Sequence, residues 1–212
     1  EAVEDAGLTD RSGAERRGIA FATNFGGASL WERFSTSLLT APEEADPADL
    51  TGYAFLNAVA LAAECFGFAG PRATLSLSCS SGGAAIGWAL DAIRLGRADV
   101  VLAGGYDALS LSALAGLSVL RTITAEKLRP FDRKRSGTIF GEGAGMLLLE
   151  EREHARARGA RIYGEVCGAA TNNNAYHVTA PDKRGEGLTQ VVRAALADAA
   201  IDPEAVDYVN AH

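Results

Sequence analysis

Residues 73–105 read ATLSLSCSSGGAAIGWALDAIRLGRADVVLAGG, and they set the architecture. ATLSLSC (73–79) has the length and composition of a short strand. It runs without a linker into residues 80–98, where Ala85, Ile86, Ala89, Leu90 and Ile93 recur at helical spacing. DVVLAGGYDAL (99–109) is then a second apolar strand that ends in glycines. Strand, helix and strand in direct succession are the unit of an α/β fold, and an unbroken apolar run suits a strand covered on both faces.

The flanks repeat the alternation. Upstream, RGIAFAT (17–23) reads as a buried strand followed by Gly26 and Gly27. Residues 28–51 are mixed, with Pro42 and Pro47 in an acidic stretch, and residues 53–67 read as a largely buried helix. Downstream, 110–137 is loop and short helix, 139–151 a strand, and 152–159 a charged helical turn closing on Gly159. Residues 161–171 (RIYGEVCGAAT) read as a strand, 187–200 as an amphipathic helix, and 205–212 as a last strand. The expected fold is α/β with mainly parallel pairing. The sequence stops at His212, where a strand should hand over to a functional loop. It is therefore expected to be part of a longer domain.

The 212 residues suffice for one good-sized domain, and 48% apolar with 22% charged residues is ordinary for a globular protein. A net charge of -7 argues against broad nucleic-acid binding, which needs a basic face. No stretch is long and apolar enough to span a bilayer, and the acidic start EAVEDAGLTDRSG lacks a signal-peptide pattern. Cys65, Cys79 and Cys167 fit neither a disulfide framework nor a zinc site, so a reduced, cytoplasmic protein is expected. No strand–GxGxxG–helix unit of the dinucleotide type is present, and neither a cofactor nor a metal is expected.

Cys79 stands where a strand meets a glycine-rich helix start. A helix N-terminus offers N–H groups and partial positive charge, which stabilise a thiolate and can hold an oxyanion during acyl transfer. The small Ser80, Ser81, Gly82 and Gly83 let an acyl thioester approach. By position alone, a nucleophile and a buried structural cysteine both stay open for Cys79. Cys65, inside an apolar helix, and Cys167, inside a strand, read as buried structural cysteines.

Leu77-Ser78-Cys79-Ser80-Ser81-Gly82 resembles the active-site motif of β-ketoacyl synthases, with Ser78 where that family usually has Ala. Asp99 to Gly105 resembles the strand and glycine pair that follow the family's nucleophile helix. Pro130-Phe131-Asp132, Arg135, Gly137 and Gly141-Glu142-Gly143-Ala144-Gly145 resemble its second signature, with Ser136 in place of a common Asp. Ala175 to Pro181 is similar to the loop that opens the second half of the fold. Tyr208-Val209-Asn210-Ala211-His212 is similar to the start of the block carrying the first catalytic histidine. These matches occur in family order and cover nearly the whole chain. They resemble elongating synthases of type II fatty acid or polyketide systems most.

The resemblance implies a thiolase-like layered α/β/α/β/α fold of two similar halves. Residues 1–160 would be the nucleophile-bearing half without its beginning, and 161–212 the start of the second half. It implies that Cys79 takes an acyl group from acyl carrier protein, and that decarboxylated malonyl-carrier protein then attacks this acyl-enzyme. His212 would be the first of two histidines that stabilise the enolate. The second histidine and a lysine would lie beyond residue 212, so condensation by these residues alone is not expected. No cofactor is implied. The family forms homodimers, or heterodimers in aromatic polyketide systems, with the stretch around Cys79 near the interface. The alternatives are a non-condensing partner of the chain-length-factor type, which usually lacks the nucleophile, and an acyltransferase-like relative.

Other residues have plainer readings. His154 belongs to a charged surface helix and His177 to a structural loop. Glu142 is expected to be a buried ion-pair partner for Arg135, and Gly141, Gly143 and Gly145 to be close-packing positions. Arg121, Lys127, Arg129, Arg133, Lys134 and Arg135 form a basic cluster. It is either a solvated loop or a dock for an acidic carrier protein.

Overall fold

A computed structural model describes residues 1–8, 12–177 and 180–211. Helices and strands follow in the order α1 (Ala2–Asp5), β1 (Arg17–Ala22), α2 (Ala28–Thr40), α3 (Ala48–Tyr53), α4 (Asn57–Phe66), β2 (Arg72–Leu75) and α5 (Ser81–Arg94). Then come β3 (Val100–Asp107), α6 (Leu111–Val119), β4 (Gly143–Glu150), α7 (Arg152–Ala157) and α8 (Glu186–Ala199).

The strands form one sheet in the order β2-β1-β3-β4. β1 is an inner strand and is buried along its whole length, which explains why its sequence is apolar rather than alternating. Its side chains point to opposite faces in turn. Ile19 and Phe21, with Leu102 of β3, pack on Val59 and Ala63 of α4, on Phe68 and on Val3 of α1. Ala20 and Ala22, with Val101 and Ala103, pack on Ala85, Ala89 and Ala92 of α5. Small residues on both sides of this second face let α5 lie close to the sheet, which brings its N-terminus to the sheet's edge.

β1 runs parallel to β2 (Ala22↔Leu75) and to β3 (Ile19↔Leu102). The α5 crossover therefore carries the chain from β2 over β1 to β3. β4 is antiparallel to β3, from Val100↔Glu150 to Asp107↔Gly143, so the expected parallel pairing holds for the first three strands and ends at the fourth. Arg16 Nε and Nη2 clasp the Asp99 carboxylate at 2.6 and 2.5 Å, tying the starts of β1 and β3 together.

Several elements differ from expectation. Residues 28–51 are largely helical, in α2 and α3. Glu32 of α2 accepts hydrogen bonds from the Leu111 and Ser112 backbone at 3.0 and 2.5 Å, so it caps α6. The Ser112 hydroxyl and these N–H groups hold its carboxyl below the usual range. The strand expected over 73–79 stops at Leu75, where its ladder with β1 ends.

Residues 161–171 and 205–212 were expected as strands. The described parts form none and are mostly exposed, including Ile162, Tyr163, Tyr208 and Val209. A strand needs a neighbouring ladder, and no strand of the sheet pairs with them among the described residues. Cys65 and Cys167 are exposed rather than buried. Cys65 lies on the outer face of α4, and Cys167 lies outside the helices and strands. No helix among the described residues is long and apolar enough to cross a membrane.

Candidate active site

Past Leu75 the chain leaves the sheet and turns sharply before α5. Ser78 takes a left-handed conformation with φ 55°, which non-glycine residues rarely adopt. The turn leaves Cys79 exposed just ahead of the first turn of α5. Local hydrogen bonds close it. Ser81, 4% exposed, donates its hydroxyl to the Ser78 carbonyl at 2.6 Å and accepts from the Leu77 N–H at 2.7 Å. Ser80 Oγ donates to the Leu77 carbonyl at 2.8 Å.

The ends of β1 and β3 meet this turn. The Asp107 carboxylate accepts from Thr23 Oγ1 at 2.7 Å and from the Asn24 and Phe25 N–H groups at 3.0 Å each. Asn24 Nδ2 in turn donates to the Ser78 carbonyl at 3.2 Å. Tyr106 stacks edge-on against Phe21 with centroids 6.3 Å apart, and burial pushes its hydroxyl pKa up. An open hollow of about 300 Å³ results, lined by Asn24, Ser78, Cys79, Ser81, Gly82, Gly105, Asp107, Gly141 and Gly143. A second hollow of about 280 Å³ shares Asn24 and is lined by Trp31, Tyr53, Phe55 and Ala113.

The chemistry of the main hollow follows from these parts. An exposed thiol faces solvent beside a helix start, and open space surrounds the Cα atoms of Gly82 and Gly83. Asn24 and Asp107 carry no sequence motif that would have singled them out for this role, whereas Ser81 lies inside the motif around Cys79. The one signal of Asn24 and Asp107 was position, at or just past the C-terminal ends of β3 and β1.

The other singled-out residues lie as follows. His212 falls outside the described residues, as do Val178 and Thr179 of the loop motif. His154 is exposed and its Nδ1 lies 2.5 Å from Glu150 Oε1. His177 is exposed, and its Nδ1 accepts from the Ala180 N–H at 3.2 Å. Glu142 is not a buried partner of Arg135. It is exposed and accepts from the Leu109 N–H at 3.1 Å, while Arg135 donates to the Asp132 carbonyl at 3.0 Å. Nor are Gly141, Gly143 and Gly145 close-packed, since a Cβ on any of them would meet nothing within 4 Å.

In the basic cluster, Arg129 reaches Glu126 at 3.5 Å, and Arg121, Lys127, Arg133, Lys134 and Arg135 are exposed. Phe131 stands out among them at 72% exposed. No group of three or more His, Cys, Asp or Glu side chains among the described residues could hold a metal ion.

Comparison with known proteins shows the family. Residues 1–155 match the family model "Beta-ketoacyl synthase, N-terminal domain", and residues 163–212 match "Beta-ketoacyl synthase, C-terminal domain". Nodulation protein E of Rhizobium meliloti (strain 1021) is 40% identical over the whole chain, which covers 53% of that protein. 3-Oxoacyl-[acyl-carrier-protein] synthase 2 of Staphylococcus aureus is 36% identical over the whole chain, which covers 55% of it. The chain thus spans about half the length of the curated relatives it matches.

Two solved structures share the fold with a TM-score of 0.89. One is a type II polyketide acyl carrier protein in complex with its ketosynthase bound to the hexaketide, at 32% identity, covering 98% of this chain and 54% of that one. The other is the ishigamide ketosynthase/chain length factor, at 35% identity, covering 97% and 51%. A β-ketoacyl synthase from Burkholderia phymatum STM815 overlays with a TM-score of 0.85 at 33% identity, covering 100% and 53%. The fold is therefore thiolase-like α/β, and the chain belongs to the β-ketoacyl synthase family.

Proposed function

We propose that the protein containing these residues is an elongating β-ketoacyl synthase of fatty acid or polyketide biosynthesis, with Cys79 as its acyl acceptor. The observation that carries this reading is the exposed thiol at a left-handed turn ahead of α5. In the first stage the Cys79 thiolate attacks the carbonyl of an acyl thioester, and the carrier thiol departs with a proton. In the second stage a malonyl thioester loses carbon dioxide and its carbanion attacks the acyl-enzyme. That attack returns the Cys79 thiolate and yields a β-ketoacyl chain two carbons longer. His212 is the proposed donor to the developing enolate oxygen. Residues 1–160 are the proposed nucleophile-bearing half and residues 161–212 the opening of the second.

The proposed partners are acyl carrier protein and a second synthase subunit, identical or related. The relatives' names and the carrier-bound ketosynthase complex support the first partner, and the ketosynthase/chain length factor complex supports the second. The acyl-accepting stage is tested by incubating the protein with a short acyl thioester and mapping the adduct by mass spectrometry. An acyl group on Cys79, absent in Cys79→Ala, is the expected result. An unmodified Cys79 overturns the reading and favours a non-condensing subunit of the chain-length-factor type.

A further inference from the structure

We infer that Asn24, anchored by Asp107, is a positioning residue that holds the turn before Cys79 in its left-handed conformation. The inference rests on the reading of Cys79 as acyl acceptor and concerns residues 54 to 84 positions apart in the chain.

The sheet itself does not place this turn. Its last paired residues on this side are Ala22 and Leu75, so residues 76–80 lie beyond the ladder. The Ser78 peptide carries an unfavourable φ of 55° and must be held by its surroundings. Its carbonyl oxygen receives the Ser81 N–H at 3.1 Å, the Ser81 hydroxyl at 2.6 Å and Asn24 Nδ2 at 3.2 Å. The first two bonds come from Ser81, the first residue of α5 and only three positions along the chain. Among the described residues, Asn24 supplies the side-chain hydrogen bonds that join the turn to a part of the chain distant in sequence, the loop after β1. Its Oδ1 also faces the Ser81 hydroxyl at 3.4 Å.

Asn24 is itself pinned. Asp107 accepts its backbone N–H together with that of Phe25 and the hydroxyl of Thr23. Thr23 is 1% exposed, and its Oγ1 accepts the Gly26 N–H at 2.9 Å. The relay therefore runs from the end of β3, through the loop after β1, to the carbonyl one residue before the nucleophile. If that carbonyl is released, the peptide between Ser78 and Cys79 can rotate. Rotation re-aims both the sulfur and the Cys79 N–H relative to an incoming carbonyl. Attack on a thioester depends on that alignment. Simple alkylation of an exposed thiol depends on it far less.

The test compares Asn24→Asp and Asn24→Ala with the unaltered protein in two assays on Cys79. One assay is saturating acylation by a short acyl thioester, and the other is alkylation by iodoacetamide, both followed on the Cys79 peptide. Asn24→Asp keeps the shape but replaces the donor with an acceptor. The acylation rate at saturation is expected to fall about 10- to 100-fold in both variants, the scale of a misaligned reacting group. KM should be unchanged, and alkylation should alter by less than about two-fold on the same argument. Asp107→Ala, which removes the oxygen that accepts from Thr23, Asn24 and Phe25, should match Asn24→Asp, and the Asn24 variants decide the matter if Asp107→Ala does not fold. Equal acylation in Asn24→Asp and the unaltered protein overturns this role alone. So does a parallel fall in both assays, which would mean general disorder of the turn. If the unaltered protein takes no acyl group, the functional reading fails and this role fails with it.

Discussion

Gly104 in β3 lies so close to β4 that a Cβ on it would meet the Gly145 carbonyl oxygen at 2.1 Å. The same Cβ would lie 2.9 Å from both the Cα and the sulfur of Met146, so only a hydrogen fits there. This closeness lets β4 start beside the hollow, where Gly141 and Gly143 form part of the wall. Gly104→Ala must push the strands apart, and we expect a loss of about 4 kcal/mol or more, the range reserved for steric failures in a core. Urea denaturation followed by circular dichroism measures it. Gly83 is the contrast, because its added Cβ would project into open space within α5. Gly83→Ala should stabilise by about 0.5–1 kcal/mol, because alanine loses less backbone freedom in a helix. A stable Gly104→Ala would mean that β3 and β4 do not pair in this register.

Glu150 at the end of β4 has a side chain only 8% exposed, and Arg158 grips it with Nε and Nη2 at 2.7 and 2.6 Å. Burial alone would raise its pKa. The hydrogen bonds from Arg158 and His154 outweigh burial and hold it below the usual carboxylate range. A carboxyl with a depressed folded pKa stabilises above its unfolded value and loses that contribution as pH falls through the folded one. Glu150→Gln should therefore cost about 1–3 kcal/mol at neutral pH. The gap from the unaltered protein should close as the pH drops below about 4. Thermal melts across an acid titration check this, and a gap that stays constant would refute it.

Asp198 of α8 accepts Arg94 Nη1 and the Ala169 N–H, each at 2.9 Å, and Arg94 Nη2 also donates to the Cys167 carbonyl at 2.6 Å. A Cβ on Gly168 would lie 2.6 Å from the Ala199 nitrogen. These contacts fasten the segment around 167–169 and α8 to α5. In Gly168→Val, hydrogen exchange should speed up through residues 187–200 by at least about ten-fold, equivalent to about 1.4 kcal/mol of lost protection. Exchange in β1 and β3 should stay as it was. Equal acceleration in the sheet would show that α8 and the sheet unfold as one unit.

The basic cluster gives a prediction about the proposed carrier protein. Arg121→Glu combined with Arg129→Glu should raise KM for a carrier-bound acyl group about ten-fold at low ionic strength. KM for a small thioester should not move, because it does not use that surface. The carrier effect should shrink at about 0.5 M salt as the charges are screened. Equal effects on both substrates would mean that these arginines support the fold rather than the docking.

Much of the fold was legible because its decisive elements carry their own period. The apolar runs of β1 and β3 and the alanine stripe of α5 are local patterns, and each formed where its period predicted. Residues 161–171 and 205–212 have equally apolar patterns, yet a strand exists only with a partner, and none pairs with their described residues. Cys65 sits in an apolar helix, but helix composition does not say which side meets the sheet. The short helix within 110–137 formed as α6, whereas the helix α2 within 28–51 escaped notice, and its Glu32 caps α6 from 79 residues away in the chain.

The sequence by itself determined that a cysteine would stand between a strand and a glycine-rich helix start, because both elements follow from local spacing. The tertiary structure alone decided that Asp107 and Asn24 would come to the turn that carries that cysteine. Their hydrogen bonds span more than fifty residues and form only once β1 lies in register between β2 and β3. No local pattern in the sequence records such a meeting.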